Sequence, residues 1–145
     1  FQLVEKHGKN LHKIIQDKAE ENRKIFYIYG GVDTEEREKA RAIVEKEDNA
    51  IIVASYGTFS TGINIKNLHN IIFASPSKSR IRNLQSIGRG LRLGDNKVNA
   101  TLYDIADDLN YKSKENYTLK HFQERINIYT EEEFDYEIHN INLKD

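Results

Sequence analysis

The sequence predicts an α/β domain, doubly wound around a mostly parallel sheet. Three observations carry that expectation. Short apolar runs alternate with amphipathic stretches about four times along the 145 residues, the order that parallel sheets with crossover helices require. The run Ala50 to Ser55 (AIIVAS) is continuously apolar, as expected of a strand buried on both faces. Gly30-Gly31 ends a strand just before a helix-start signal, Asp33-Thr34-Glu35-Glu36.

In order, Phe1 to Val4 reads as a first strand. Lys9 to Ala19 reads as a helix with Leu11, Ile14 and Ile15 inward. Lys24 to Tyr29 is a second strand. Asp33 is the expected N-cap of the next helix, with Glu36 completing a capping box, and that helix runs to about Lys46. Ala50 to Ser55 and Asn70 to Ala74 are further strands. Ser79 caps a helix carrying Arg89 and Arg92, and Ala100 to Ile105 is a last strand. The tail holds a helix from Lys114 to Thr130, with Tyr117, Phe122, Ile126 and Tyr129 as packing residues. Beyond it, Phe134 to Leu143 alternates as an edge strand or a flexible end. The expected domains are 1–110 and a C-terminal extension, 111–145.

Composition narrows the function classes. There are no cysteines, so disulfides and thiolate metal sites are excluded. No apolar run reaches the length of a membrane span, so a soluble cytoplasmic protein is the default. The five histidines have no ligand spacing, and no metal site is expected. The chain contains no methionine and opens on an apolar run, so it is expected to be part of a longer protein.

Net charge is −1, which rules out a basic nucleic-acid glove over the whole surface. The charge is unevenly placed, however. Lys78, Arg80, Arg82, Arg89, Arg92 and Lys97 cluster against Asp95 alone, while Glu131 to Glu137 is acidic. A local basic patch binds phosphate whatever the net charge, because distant charges are screened.

The most informative stretch is Gln85-Ser86-Ile87-Gly88-Arg89-Gly90-Leu91-Arg92. At roughly 100° per residue, Gln85, Arg89 and Arg92 fall within about 60° on one helix surface. Ile81, Leu84, Gly88 and Leu91 form an apolar stripe beside them. Guanidiniums at i and i+3 grip a polyanion because each is a planar, permanently charged fork.

These residues resemble a family. Gln-x-x-Gly-Arg-x-x-Arg is similar to motif VI of superfamily 2 helicases and translocases. Ser55 to Asn64 (SYGTFSTGIN) looks like their motif V, and Gly30 followed by Arg37 matches the strand-end glycine and helix arginine between motifs IV and V. The ordered match covers roughly residues 1 to 107. It implies the second RecA-like domain of such an enzyme, a three-layer α/β fold. Residues 51 to 108 and the tail from Thr118 to Leu143 also resemble the UvsW-type DNA helicases of tailed phages. Those are ATP-dependent remodellers of branched DNA, used in recombination, repair and replication.

The resemblance assigns roles. Arg92 is the expected arginine finger, Arg89 a second γ-phosphate contact, and Gln85 the group that orients the arginines or the attacking water. Gly62 and Asn64, with Arg89 and Arg92, are expected near ATP and its Mg²⁺. Ser55, Thr58, Ser60 and Gly30 are expected to touch nucleic-acid phosphates without reading sequence. Gly62-Ile63-Asn64 resembles duplex-DNA translocases more than RNA-directed relatives. No phosphate loop and no Asp-Glu box for magnesium appear in the chain. Both belong to a first RecA-like domain, the expected partner together with DNA. The alternatives are an RNA helicase, a restriction-enzyme motor, or a non-catalytic nucleic-acid-binding module.

Overall fold

The computed structural model describes residues 1, 4–60, 65, 68–75, 100–108 and 116–143. Within them, parallel strands alternate with helices in an α/β arrangement. After Phe1, a π-helical turn (Val4–Gly8) runs straight into α1 (Lys9–Lys18). Then follow β1 (Ile25–Ile28), α2 (Thr34–Val44), β2 (Ile51–Ala54) and the one-turn helix α3 (Tyr56–Ser60). Next come β3 (Asn70–Phe73), β4 (Thr101–Asp104) and α4 (Tyr117–Glu131).

The strands pair in parallel as β1–β2 and β3–β4, with Ile28 opposite Ala54 and Phe73 opposite Asp104. The expected mostly parallel sheet is therefore present, among the described residues, as two parallel pairs. Each pair joins strands separated by a long crossover, as parallel pairing demands.

Phe1 extends the first pair. Its N donates to the Ala54 carbonyl at 3.0 Å, and its carbonyl accepts from Tyr56 N at 2.9 Å. Ser55 N meanwhile donates to Ile28 O at 2.9 Å. Neighbouring β2 residues aim their amides at opposite edges, so Phe1 lies across β2 from β1. Of the expected 1–4 strand, Phe1 makes this bridge, whereas Val4 already belongs to the π-helical turn. The Tyr27 hydroxyl, which donates to Val4 O at 2.9 Å, holds that turn.

A stack of rings organises this end. Phe1 and His12 each lie against Tyr27, with centroids 5.5 and 4.9 Å away. The phase of α1 follows from it: His12 and Ile15 are half-buried, and Ile14 is 52% exposed rather than inward. Gly8 fits beneath the stack, where a Cβ would come within 2.5 Å of the Phe1 ring.

Helix α2 starts as its sequence dictates. Asp33 is the N-cap, its carboxylate accepting from Glu35 N at 2.8 Å. Ala40 and Val44, four apart on one face, are buried, as are Ile28 of β1 and Val53 of β2.

The β3–β4 pair is covered by α4. Phe73 and Tyr129 form the buried centre, with Tyr56, Ile71, Leu102, Ile126 and Phe134 packed around them. Asn116 caps α4 by accepting from Thr118 N at 3.1 Å. Tyr117 is 76% exposed, contrary to the packing role expected of it, because the capped first turn projects it outward. Helix α4 closes with Glu133 in the left-handed region (φ 56°). Glu133 N donates to Thr130 O and Phe134 N to Tyr129 O, the Schellman pattern. Beyond it, residues 134–143 pair with no strand among the described residues.

Candidate functional site

Parallel strands place the residues that follow them on one rim, where α/β sheets bind ligands. Gly30 follows β1 and Ser55 follows β2. Because Ile28 and Ala54 are in register, the two turns emerge side by side. Gly30 is exposed, and a Cβ added there would meet nothing within 4 Å. The space above it is open to an approaching backbone.

Ser55 and Thr58 are brought together. Their hydroxyl oxygens lie 2.8 Å apart across the start of α3, and both residues are buried, at 8% and 4% exposure. The short helix explains this pairing, since residues i and i+3 share a face. Their mutual bond uses one of the two hydroxyl donors. Gly57, exposed and with room for a Cβ, forms the open side of the same turn. Ser60 ends α3. Of the other expected site residues, Gly62, Asn64, Gln85, Arg89 and Arg92 lie outside the described residues.

Arg37 is better placed than its sequence context suggests. It sits in the first turn of α2, after the Gly30-Gly31 turn. One terminal nitrogen, Nη2, donates to Thr34 Oγ1 at 3.1 Å. Its Nε is buried without a hydrogen-bond partner. The signal was the spacing from Gly30, and it gave no warning of the unpaired N–H.

Tyr56 joins the two strand pairs. Its ring meets Phe73 edge-on at 5.7 Å, and its hydroxyl donates to Ser75 O at 2.6 Å. The carboxyl ends of β2 and β3 are thus neighbours. Ser75 also opens the stretch that leads to Gln85.

At the end of β4, Asp104 receives Arg125 Nε at 2.6 Å and Nη2 at 2.9 Å, and the Tyr129 hydroxyl at 2.6 Å. Arg125 also lies over the Phe122 ring, 5.6 Å from its centroid. Burial, and then the hydrogen bond to Asp104, raise the Tyr129 phenol well above its ordinary value and keep it protonated. Sequence reasoning missed this network. The available signal was an arginine lodged among Phe122, Ile126 and Tyr129 on the packing face of the tail helix.

In the sequence, these strand-end glycines and hydroxyls stand ahead of the Gln85-x-x-Gly88-Arg89-x-x-Arg92 run. The chain matches the family model of the helicase conserved C-terminal domain over residues 3–94, and it belongs to that family. It is similar to the ATP-dependent DNA helicase uvsW of Enterobacteria phage T4, with 41% identity over 94% of this chain and 29% of the relative. It is also similar to the protein IRC3 of Saccharomyces cerevisiae, with 30% identity over 72% of this chain and 15% of the relative. The chain thus spans less than a third of the length of these relatives. No solved structure matches it. No helix among the described residues is long and apolar enough to cross a membrane.

Proposed function

We propose that this chain is the second RecA-like half of an ATP-dependent DNA helicase or translocase that remodels branched DNA. The family match carries the reading, because it spans Gly30, the stretch from Ser55 to Asn64 and the Gln85–Arg92 motif in one alignment. The phage relative, named a DNA helicase, supports DNA as the track and the host cytoplasm as the setting.

In this reading ATP and its Mg²⁺ are held mainly by a first RecA-like domain. Transfer of the γ-phosphoryl group spreads negative charge over its oxygens and needs little covalent help. Arg92 stabilises that charge as the arginine finger, Arg89 adds a second contact, and Gln85 orients them or the attacking water. Gly62 and Asn64 stand near the nucleotide.

On the rim, Gly30 and Gly57 leave space for a phosphate backbone, while Ser55 and Thr58 form the wall behind it. Ser60 extends the track. Arg37 offers a charged N–H from the first turn of α2, at the helix end that favours anions.

The test is Arg92→Ala in the full-length protein. Turnover falls by about 10³–10⁵, while ATP affinity stays within a few-fold. Near-normal ATPase in that variant refutes the finger assignment. Stimulation of the parent ATPase by branched duplex DNA, but not by RNA, separates a DNA motor from an RNA helicase. A parent protein with no nucleic-acid-stimulated ATPase leaves only the non-catalytic binding module.

A further inference from the structure

We infer that Tyr117 is a stacking contact for an unpaired DNA base, placed beyond the carboxyl end of β4. This role rests on the motor reading above and names a further part of the substrate that the rim holds.

The place of Tyr117 follows from how α4 is tied to β4. Three residues past the strand, the Asp107 carbonyl accepts from Asn116 Nδ2 at 2.6 Å and from Thr118 Oγ1 at 2.8 Å. About two turns later in the helix, Arg125 reaches Asp104, the last residue of β4. Next to it, Ile126 joins the cluster that holds Leu102 and Ile71. Helix α4 therefore starts beyond the carboxyl end of β4 and returns across the pair. Its first turn stands on the side of the strands where Ser75 follows β3, and the bond from Tyr56 to Ser75 joins that side to the end of β2.

The Tyr117 ring is bare. It is the most exposed aromatic among the described residues, at 76%, and no other ring among them packs on it. Lys120, one turn on and also exposed, shares its face and has no ion-pair partner among the described residues. The Asn116 cap and the two bonds to Asp107 hold this turn, so the ring is presented without ordering a loop on binding. An aromatic face beside a cation suits single-stranded nucleic acid, and it accepts any base because every base has a π-face. A moving motor needs that tolerance. Phosphate contacts do not distinguish an unpaired base from a paired one, whereas a stacking ring does. Tyr117 also lies beyond residues 3–94, which match the helicase domain model. It thus belongs to what this chain adds to the shared domain.

The experiment uses the full-length protein and two DNAs of equal length, a fork with a single-stranded arm and a blunt duplex. Tyr117→Ala is expected to weaken binding to the fork by about ten-fold, the scale of one stacked base. It should leave blunt-duplex affinity, the salt dependence of fork binding and the melting midpoint unchanged. Tyr117→Phe, which keeps the ring, is expected to bind the fork within about two-fold of the parent. Fork affinity within about two-fold of the parent in Tyr117→Ala overturns the inference and leaves the motor reading standing. Equal losses on both DNAs, a changed salt dependence or a lowered midpoint also overturn it, since the residue then serves phosphate binding or the fold. So does a Tyr117→Phe variant as weak as Tyr117→Ala. A parent that binds neither DNA overturns the motor reading and takes this inference with it.

Discussion

Asp104 and Arg125 form a bidentate ion pair almost wholly shielded from water, with side-chain exposures of 8% and 3%. It joins the end of β4 to the middle of α4. A buried pair of this kind is costly to break from one side, because the remaining charge stays in a poor solvent.

Arg125→Met is therefore expected to destabilise the fold by about 3–5 kcal/mol. Adding Asp104→Leu together with Tyr129→Phe, whose hydroxyl otherwise loses its acceptor, should recover most of that loss, since apolar groups of similar size replace the network at little net cost. Urea denaturation of the single and the combined variant checks this. A combined variant as unstable as the single one would show that the network itself, rather than the stranded carboxylate, holds α4.

Alkaline stability should depend on Tyr129. Its phenol is raised above the ordinary value of 10.0, first by burial and then by Asp104. The folded state thus holds the proton more tightly than the unfolded chain. The associated stability is fully present below about pH 10 and is lost as pH rises through the folded value. Tyr129→Phe should flatten the fall of the melting midpoint above that pH. Tyr27, also raised by burial, leaves a smaller residual slope. An unchanged alkaline profile in Tyr129→Phe would remove this explanation.

Glu133 occupies a left-handed position that glycine takes at far lower cost. Glu133→Gly should stabilise the fold by up to about 1 kcal/mol, the penalty of a side chain in that region less glycine's greater entropy when unfolded. Thermal melting reads the effect. A fall in the midpoint would mean that the Glu133 side chain contributes more than its backbone strain costs.

Gly8 lies where a methyl group would sit 2.5 Å from the Phe1 ring and 2.7 Å from the Tyr27 hydroxyl. Gly8→Ala should cost about 1–3 kcal/mol by overpacking. The lost helix entropy of glycine partly offsets this. A neutral substitution in denaturant titration would show that Phe1 moves aside freely.

Arg37→Gln should weaken DNA binding nearly uniformly across sequences. It should reduce the slope of log affinity against log salt by about 0.9, one phosphate contact. Affinities of the full-length protein measured at several salt concentrations provide the check. An unchanged slope would assign Arg37 to the α2 surface.

Much of the fold was legible because its strands are short apolar runs between turn signals. Asp33 announced α2, and the tail helix showed its packing face through Phe122, Ile126 and Tyr129. What stayed hidden depends on partners distant in sequence. Ile14 was placed inward because periodicity cannot know that Tyr27 draws His12 down beside it. The alternation after Phe134 left an edge strand and a flexible end both open, because a pattern of side chains does not reveal which backbones lie beside it. Ser55, Thr58 and Gly30 stood out in the sequence as strand-end hydroxyls and a strand-end glycine, but the hydroxyl–hydroxyl bond required α3, a single turn too short to leave a periodic signal. Asp104 and Arg125 sit on different elements and share no local pattern.

The bridge made by Phe1 bears on how the domain frays and aggregates. Where β2 ends, the chain from Ala54 to Tyr56 is hydrogen-bonded along both margins, to Ile28 on one and Phe1 on the other. A strand flanked on both sides offers no template for a foreign chain. Its amides should also be among the last to exchange with deuterated water. The segment that begins at Ser55 is therefore moored on two sides at its root.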